Sequence, residues 1–347
     1  MNTNVTGANF SCSHVANVKK LGLLDEKGFL RLEKGEFRLP VMATACSDNH
    51  WEEAKHMLGI LRKYRPKQKV VLYDLGLVEE TVKFVKSLCN VEYRKFPFEN
   101  YPPHVARIGE YRWKPLIIAE MLQEFGAIWY MDSSVVWKKT NLDHVYDLLR
   151  CRSDKKVRHE RPHWTIPSTA TRKERDEREQ RQQHESGWHD DRWRLAVSKC
   201  DKFAYLLHGY AGHGIWPATH ERVFEYFPTE VAELKKPKAK MYEAGFVFAV
   251  RTKEVNDLVL KWYVLCALQE DCMGPQGASL GCRFGNDRFA DPGQCHRFDQ
   301  SVVNLLLANA NDYDRYYYTS EIVDFFNIVR GSAPLADSAL ACDRPSS

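Results

Sequence analysis

Hydrophobic positions in the N-terminal half of the chain alternate between apolar runs of strand length and helical repeats. Residues 37–45 carry the run LPVMATA and end at Cys46-Ser47-Asp48-Asn49. Trp51, Ala54, Leu58 and Leu61 then recur at helical spacing, with Asp48 or Asn49 as the expected cap and Pro66 as the stop. Residues 69–73 (KVVLY) predict a second buried strand ending at Asp74, residues 79–88 a second helix, and residues 91–96 a third strand. Within 109–139, Leu116, Ile117, Ala119, Met121, Leu122 and Phe125 keep helical spacing opposite Glu120, Gln123 and Glu124. Gly126 ends that helix by taking positive φ. The apolar run Ala127–Met131 reads as strand from its β-branched and aromatic content. It opens directly into Asp132-Ser133-Ser134 and a second apolar run, Val135–Trp137.

Strands and helices in this order predict parallel pairing with right-handed crossovers, so an α/β fold with a doubly wound, mostly parallel sheet flanked by helices. No Gly-x-Gly-x-x-Gly follows either early strand, which argues against a nicotinamide or flavin enzyme. Open sheets of this kind bind ligands at the carboxyl ends of their strands. That rule nominates Thr44 and Ser47 after the first strand, Asp74 after the second, and Asp132 with Ser134 after the fourth. Each of these residues also reads as an ordinary cap or turn residue.

Further along, a helix is expected over 141–150, capped by Thr140 or Asn141. A glycine-rich stretch, HGYAGHG at 208–214, lacks the Gly-Lys-Ser or Gly-Lys-Thr of a phosphate loop. Its two histidines read either as metal ligands or as exposed turn residues. A helix over 219–227 stops at Pro228. Glu243-Ala244-Gly245 leads into a core strand, Phe246–Val250, followed by an amphipathic helix over 255–268. His296-Arg297-Phe298-Asp299-Gln300-Ser301 opens a helix over 302–309, where a carboxylate in the first turn favours the helix dipole.

With 347 residues, 44% apolar and 12% aromatic, the chain has material for a large packed core. A net charge of +4 makes no case for nucleic acid. Residues 1–35 read as a polar leader or stem, or as a leader packed on the surface. Residues 36–330 read as one domain, interrupted by a charged, mobile insertion at 152–194 without an apolar face. Residues 331–347 read as a disordered tail. No apolar run approaches the length of a membrane span, so membrane association would need an anchor outside this sequence. Cys266, Cys272, Cys282 and Cys295 crowd together without Cys-x-x-Cys spacing, which favours disulfides over zinc. With the sequons Asn4-Val5-Thr6 and Asn9-Phe10-Ser11, they point to the Golgi or secretory lumen, the cytoplasm being the alternative.

The segment WYMDSSVVW, the EAG turn before a strand and HRFDQS before a helix, taken in this order with CALQEDC, resemble the GT-A type of nucleotide-diphospho-sugar transferase, and most of all animal members with a degenerate Asp-x-Asp motif. The resemblance covers 37–311. It implies transfer of a sugar from a nucleotide-sugar donor to a hydroxyl of a glycan or glycoprotein. It places Thr44, Asp74, Arg112, Lys114, Asp132 and Ser134 on the donor, with Lys114 or Arg112 neutralising the diphosphate. Asp132 and His296 would hold a divalent cation, Mn or Mg, although Asp132-Ser133-Ser134 lacks the second carboxylate of that motif. Glu243 or Asp299 would take the acceptor's proton. A catalytically inactive domain that binds glycan or a protein partner is the rival expectation. A methyltransferase would need a glycine-rich turn after the first strand, which Thr44-Ala45-Cys46-Ser47 does not supply.

Overall fold

The structure, a computed structural model, describes residues 6–36, 38–151, 190–199, 204–331, 334–340 and 342. Its core is a six-stranded sheet built from β1 (Val41–Cys46), β2 (Val70–Asp74), β3 (Val91–Lys95), β4 (Ala127–Met131), β6 (Tyr205–Leu207) and β9 (Phe246–Val250), in the order β3-β2-β1-β4-β9-β6. The first four pair in parallel, with Thr44 opposite Leu72 on one side and Met131 on the other. β9 runs antiparallel to both β4 and β6. The expected α/β class, a mostly parallel sheet flanked by helices, is the one observed. β2, β4 and β9 are buried along their whole length, which is why their sequences are continuous apolar runs rather than alternating ones.

The Trp113–Phe125 helix packs on β4 and β1 and ends where expected, with Gly126 at φ 79° and its N–H on Leu122 O at 3.0 Å. Two-stranded sheets, β5 (Val135–Trp137) with β10 (Phe326–Ile328) and β7 (Tyr210–Gly214) with β8 (Lys240–Tyr242), flank the main one. The glycine-rich stretch is therefore largely strand β7. The helix expected over 255–268 divides into a π-helical stretch, Val255–Leu260, and an α-helix, Lys261–Leu268. Asp48 does not cap the Trp51–Tyr64 helix, which a 3-10 turn precedes. Its Oδ1 instead accepts from Val78 N at 3.1 Å, at the start of the next helix, Glu79–Lys86.

The leader packs on the body: Val18, Leu21 and Leu23 are buried, and the Phe10 ring lies 5.0 Å from Tyr226 and 6.1 Å from Trp262. Most of the charged insertion, 152–189, lies outside the described residues. Its C-terminal end is ordered as the helix Asp190–Val197, with Trp193 buried and donating to His144 O at 2.8 Å. The tail is packed where it is described: Leu340 is buried and Cys342 is bridged to Cys89. Cys266–Cys272 and Cys282–Cys295 are also bridged, as the cysteine pattern predicts. Disulfides are compatible with an oxidising compartment. No helix among the described residues is long and apolar enough to cross a membrane.

Candidate functional site

Three charged side chains from separate parts of the chain meet where β4 ends. Lys114, in the first turn of the Trp113–Phe125 helix, is 2% exposed. Its Nζ lies 3.2 Å from Asp132 Oδ1 and 2.7 Å from Asp299 Oδ2. Tyr130 OH donates to Asp132 Oδ1 at 3.1 Å, and the Tyr111, Trp113 and Tyr130 rings surround the ammonium with centroids 5.3–5.8 Å away. Asp299 is 4% exposed, whereas the Asp132 side chain is one-third open to solvent.

Burial and charge together set the protonation of Lys114 and Asp299. Burial alone would lower the Lys114 pKa, but the two carboxylates outweigh it and raise the value, so the lysine stays charged. Burial raises the pKa of Asp299, with Lys114 opposing that shift and Asp132 adding to it. Tyr205 and Tyr263, which sequence patterns do not single out, are fully buried phenols pushed upward by burial, with the charge of Asp299 adding to the effect.

Backbone strain aims the pair. Phe298, directly before Asp299, has φ 45° and ψ −116°, and Tyr111 has φ 56°. Phe298 lies in a region an L residue enters at a cost of about 1–3 kcal/mol. The turn at Asp132 is fixed from the opposite strand, since Asp132 N donates to Gly245 O at 2.7 Å. A Cβ on Gly245 would stand 2.6 Å from Asp132 Oδ2, so only glycine lets the carboxylate lie against this turn. Asn304 locks the Asp299–Ala310 helix to β8: it accepts from Tyr242 N and donates to Tyr242 O, both at 2.8 Å. Glu243 follows directly, with its N–H on Gly209 O at 2.8 Å and its side chain half-buried over Gly209.

Other nominated residues are placed differently. Arg112 is fully buried, and all three of its nitrogens are bound, to Glu110 and to the carbonyls of Ala267, Gln269, Glu270 and Gly274. It clamps the turn around the Cys266–Cys272 bridge and has no reach to a diphosphate. Asp74 is a turn carboxylate: Oδ1 accepts from Gly76 N and Leu77 N, and Oδ2 from Tyr93 OH. His296 Nδ1 accepts from His220 N at 3.3 Å, so Nε2 carries the proton that goes to Met273 O at 2.9 Å. Neither nitrogen is left for a metal, and burial lowers the His296 pKa to about 3. Asp299 is sealed against Lys114 rather than open to an acceptor hydroxyl. Thr44 is fully buried in β1 with its hydroxyl unpaired among the described residues. Ser134 lies in the Asp132 turn, its carbonyl accepting from Val329 N at 2.8 Å. His208 and His213 are both buried and serve separate partners, Ser320 Oγ and Gly214 O.

Among the described residues, no three His, Cys, Asp or Glu side chains converge as metal donors. Asp132 alone faces solvent, and it is already paired with Lys114. These donors do not fit a cation held by the protein itself.

Residues 1–119 match the family model described as "Protein of unknown function (DUF1647)". No curated protein matches the chain. Among solved structures, it is similar to core-mannan synthase A (CmsA/Ktr4) from Aspergillus fumigatus in its Mn/GDP form, at 8% identity over 99% of this chain and 93% of that one, with a TM-score of 0.42. It is also similar to the galactosyltransferase LgtC with donor and acceptor sugar analogues, at 10% identity over 84% and 88%, TM-score 0.37. The bifunctional glycosyltransferase WbbM aligns at 10% identity over 78% of this chain, TM-score 0.35. The chain spans 59% of an active-site mutant of LgtC and 38% of WbbM. Likenesses this distant leave function to the geometry of the site.

Proposed function

We propose that the chain is a glycosyltransferase that moves a sugar from a nucleotide-sugar donor to a hydroxyl of a glycan or glycoprotein. The observation that carries this reading is the buried Lys114 ammonium held between Asp132 and Asp299, where a parallel strand ends in an open α/β sheet. Asp132 is the member of the trio that reaches solvent. Its carboxylate oxygens would accept hydrogen bonds from hydroxyls of the donor sugar and fix its orientation. Asp299 is a positioning residue that holds Lys114 in place. Lys114, sealed between the two carboxylates, holds Asp132 in place rather than reaching the departing diphosphate.

In the step itself, the acceptor oxygen forms a bond to the anomeric carbon as the bond from that carbon to the phosphate oxygen breaks. The nucleoside diphosphate leaves with the electron pair, and the hydroxyl proton passes to a carboxylate. Glu243, two residues before the Gly245 that carries the Asp132 turn, is the carboxylate assigned to that proton. No step is routed through a metal.

A thermal-shift screen of uridine, guanosine and cytidine diphosphate sugars, with and without manganese, tests the proposal. A nucleotide sugar at one hundred times its Kd adds about 2.7 kcal/mol of apparent stability. A donor that stabilises without manganese supports orientation by Asp132 alone. Stabilisation only with manganese restores the cation. The half-buried, single-carboxylate site also favours a second reading, a domain that binds glycan without turnover. Stabilisation without release of nucleoside diphosphate would select it.

A further inference from the structure

Glu321 gathers more positive charge than it can neutralise. Its side chain is 6% exposed and its backbone takes φ 50°. Arg192 Nη1 lies 3.0 Å from Oε2, while Arg315 Nε at 3.0 Å and Lys240 Nζ at 3.4 Å share Oε1 with the Tyr242 hydroxyl. Burial would raise the Glu321 pKa, but these partners outweigh it and bring it down to about 2, so the acid carries one full negative charge near neutrality. Asp314, in the same loop as Arg315, is taken by Lys199. Three cations therefore stand against one carboxylate. A single well-placed cation satisfies a buried carboxylate, and two more beside it repel the first and each other. The repulsion shows at Lys240: burial lowers its pKa, Glu321 opposes the shift, and Arg315 and Arg192 add to it.

The excess charge reaches solvent. The Arg192 side chain is 34% exposed, and Glu321 is its one ion-pair partner among the described residues, touched through Nη1 alone. It sits on the Asp190–Val197 helix, which buried Trp193 anchors. The Lys240 ammonium is partly open and lies 4.8 Å from the centre of the exposed Tyr210 ring. A guanidinium fork beside an ammonium matches the oxygens of a sulfate, phosphate or carboxylate.

The cluster lies at the same edge of the sheet as Asp132. β6 and β4 both run antiparallel to β9, so both end at that edge, two strand spacings or about 10 Å apart. The loop 315–321 is stitched to the end of β6, since Leu207 N donates to Tyr318 O at 3.0 Å and Ser320 N to Leu207 O at 2.9 Å. Lys240 and Tyr242 belong to β8, and the chain runs on from them to Glu243 and to Gly245, whose carbonyl accepts from Asp132 N. Lys240 and Glu243 have Cα atoms at most about 11 Å apart. The cluster thus flanks the carboxylate assigned to the acceptor's proton, on the side of β4 away from β1 and β2. We infer that Arg192, Lys240 and Arg315 form a subsite for an acidic saccharide, holding a sulfate or carboxylate group of the acceptor glycan. Its role with an acceptor rests on the glycosyltransferase reading; the binding of an acidic saccharide does not.

Isothermal titration calorimetry on the full chain tests it, at about 150 mM salt to screen long-range attraction. The probes are a sulfated heparin tetrasaccharide, a hyaluronan tetrasaccharide with carboxylates alone, neutral chitotetraose, and inorganic pyrophosphate. At least one acidic tetrasaccharide should bind at least tenfold more tightly than chitotetraose, and the tighter of the two identifies sulfate or carboxylate. Arg192→Gln with Lys240→Gln should weaken that binding at least fivefold. Arg315 still pairs with Glu321 in this variant, so its melting temperature should stay near that of wild type. Lys83→Gln with Lys253→Gln removes the same charge from exposed positions and should bind as wild type does. Binding unchanged in the cluster variant, equal weakening in the two variants, or no acidic tetrasaccharide bound at millimolar concentration would overturn the inference. Pyrophosphate held through the cluster, with neither acidic tetrasaccharide bound, would give the site to the donor and overturn it as well. Loss of acidic-saccharide binding in the cluster variant of a protein that never turns over a nucleotide sugar would keep the subsite and discard the transferase.

Discussion

Replacing Lys114 by methionine keeps the length of the side chain and removes its charge. Asp299, 4% exposed, then loses an ammonium 2.7 Å away and has no other ion-pair partner among the described residues. Removing one partner of a buried pair costs about 3–5 kcal/mol. Asp132 is one-third exposed and recovers much of its solvation, so the low end of that range, about 3 kcal/mol, is expected. At ~2.1 cal/mol/K per residue, the melting temperature of a 347-residue chain moves by roughly 1.4 °C per kcal/mol, giving a fall of about 4 °C. The pKa of Asp299 is already raised by burial, so its folded state holds the proton more tightly than the unfolded chain does. The cost of burying it is absent below the unfolded pKa and grows as pH rises toward the folded one. Without Lys114 the folded pKa climbs further, so the gap between variant and wild type should be small at pH 4 and full at pH 7.5. Adding Asp299→Asn to Lys114→Met should recover at least half the loss at pH 7.5. Thermal unfolding of the three proteins at both pH values measures all of this. A gap independent of pH, with no recovery in the double variant, would refute the assignment of Lys114 and Asp299 as a coupled buried pair.

Other outcomes follow from the same structure. Asn304→Leu strands the N–H and C=O of Tyr242 in a buried position, at about 1–3 kcal/mol for each group, and a urea midpoint shift checks it. His208 and His296 are both buried with pKa values lowered to about 3, so the unfolded chain binds protons first as pH falls through 6.5. At pH 5.5 each should therefore cost about 1.4 kcal/mol relative to pH 7.5, and His208→Gln should flatten half of that slope. Peptide mapping without reduction should find Cys266–Cys272, Cys282–Cys295 and Cys89–Cys342. Replacing Cys282 and Cys295 by alanine should lower stability by about 2–3 kcal/mol for a loop of that length.

The parallel half of the sheet was readable because its strands are continuous apolar runs separated by amphipathic helices. Lys114 and Asp132 could be nominated because the helix stop at Gly126 fixes where β4 begins and hence where it ends. The role of Arg112 was not readable, because its partners are carbonyls at 267–274, brought to it only by the tertiary fold. Asp74 and His296 were misread for a related reason: their partners are backbone N–H and C=O groups, to which sequence patterns are blind. Asp299 was found as a site residue but given the wrong exposure, since only the fold shows Lys114 closing over it. The three-residue strands β8 and β10 carry too few residues for periodicity to register, and β7, Tyr210–Gly214, is half-exposed and glycine-rich, so it reads as a turn. The strain at Phe298 and Tyr111 left no trace in composition, because neither position uses glycine.

The central claim is that Asp132 orients a nucleotide-bound sugar, and Asp132→Asn tests it most directly. The substitution keeps the shape of the side chain and removes its charge at a position one-third open to solvent, so the fold should survive with near-normal thermal stability. With the donor selected by the thermal-shift screen, release of nucleoside diphosphate by the folded variant should fall at least tenfold, about 1.4 kcal/mol in the barrier. Equal turnover by the two proteins would remove Asp132 from the mechanism and contradict the account.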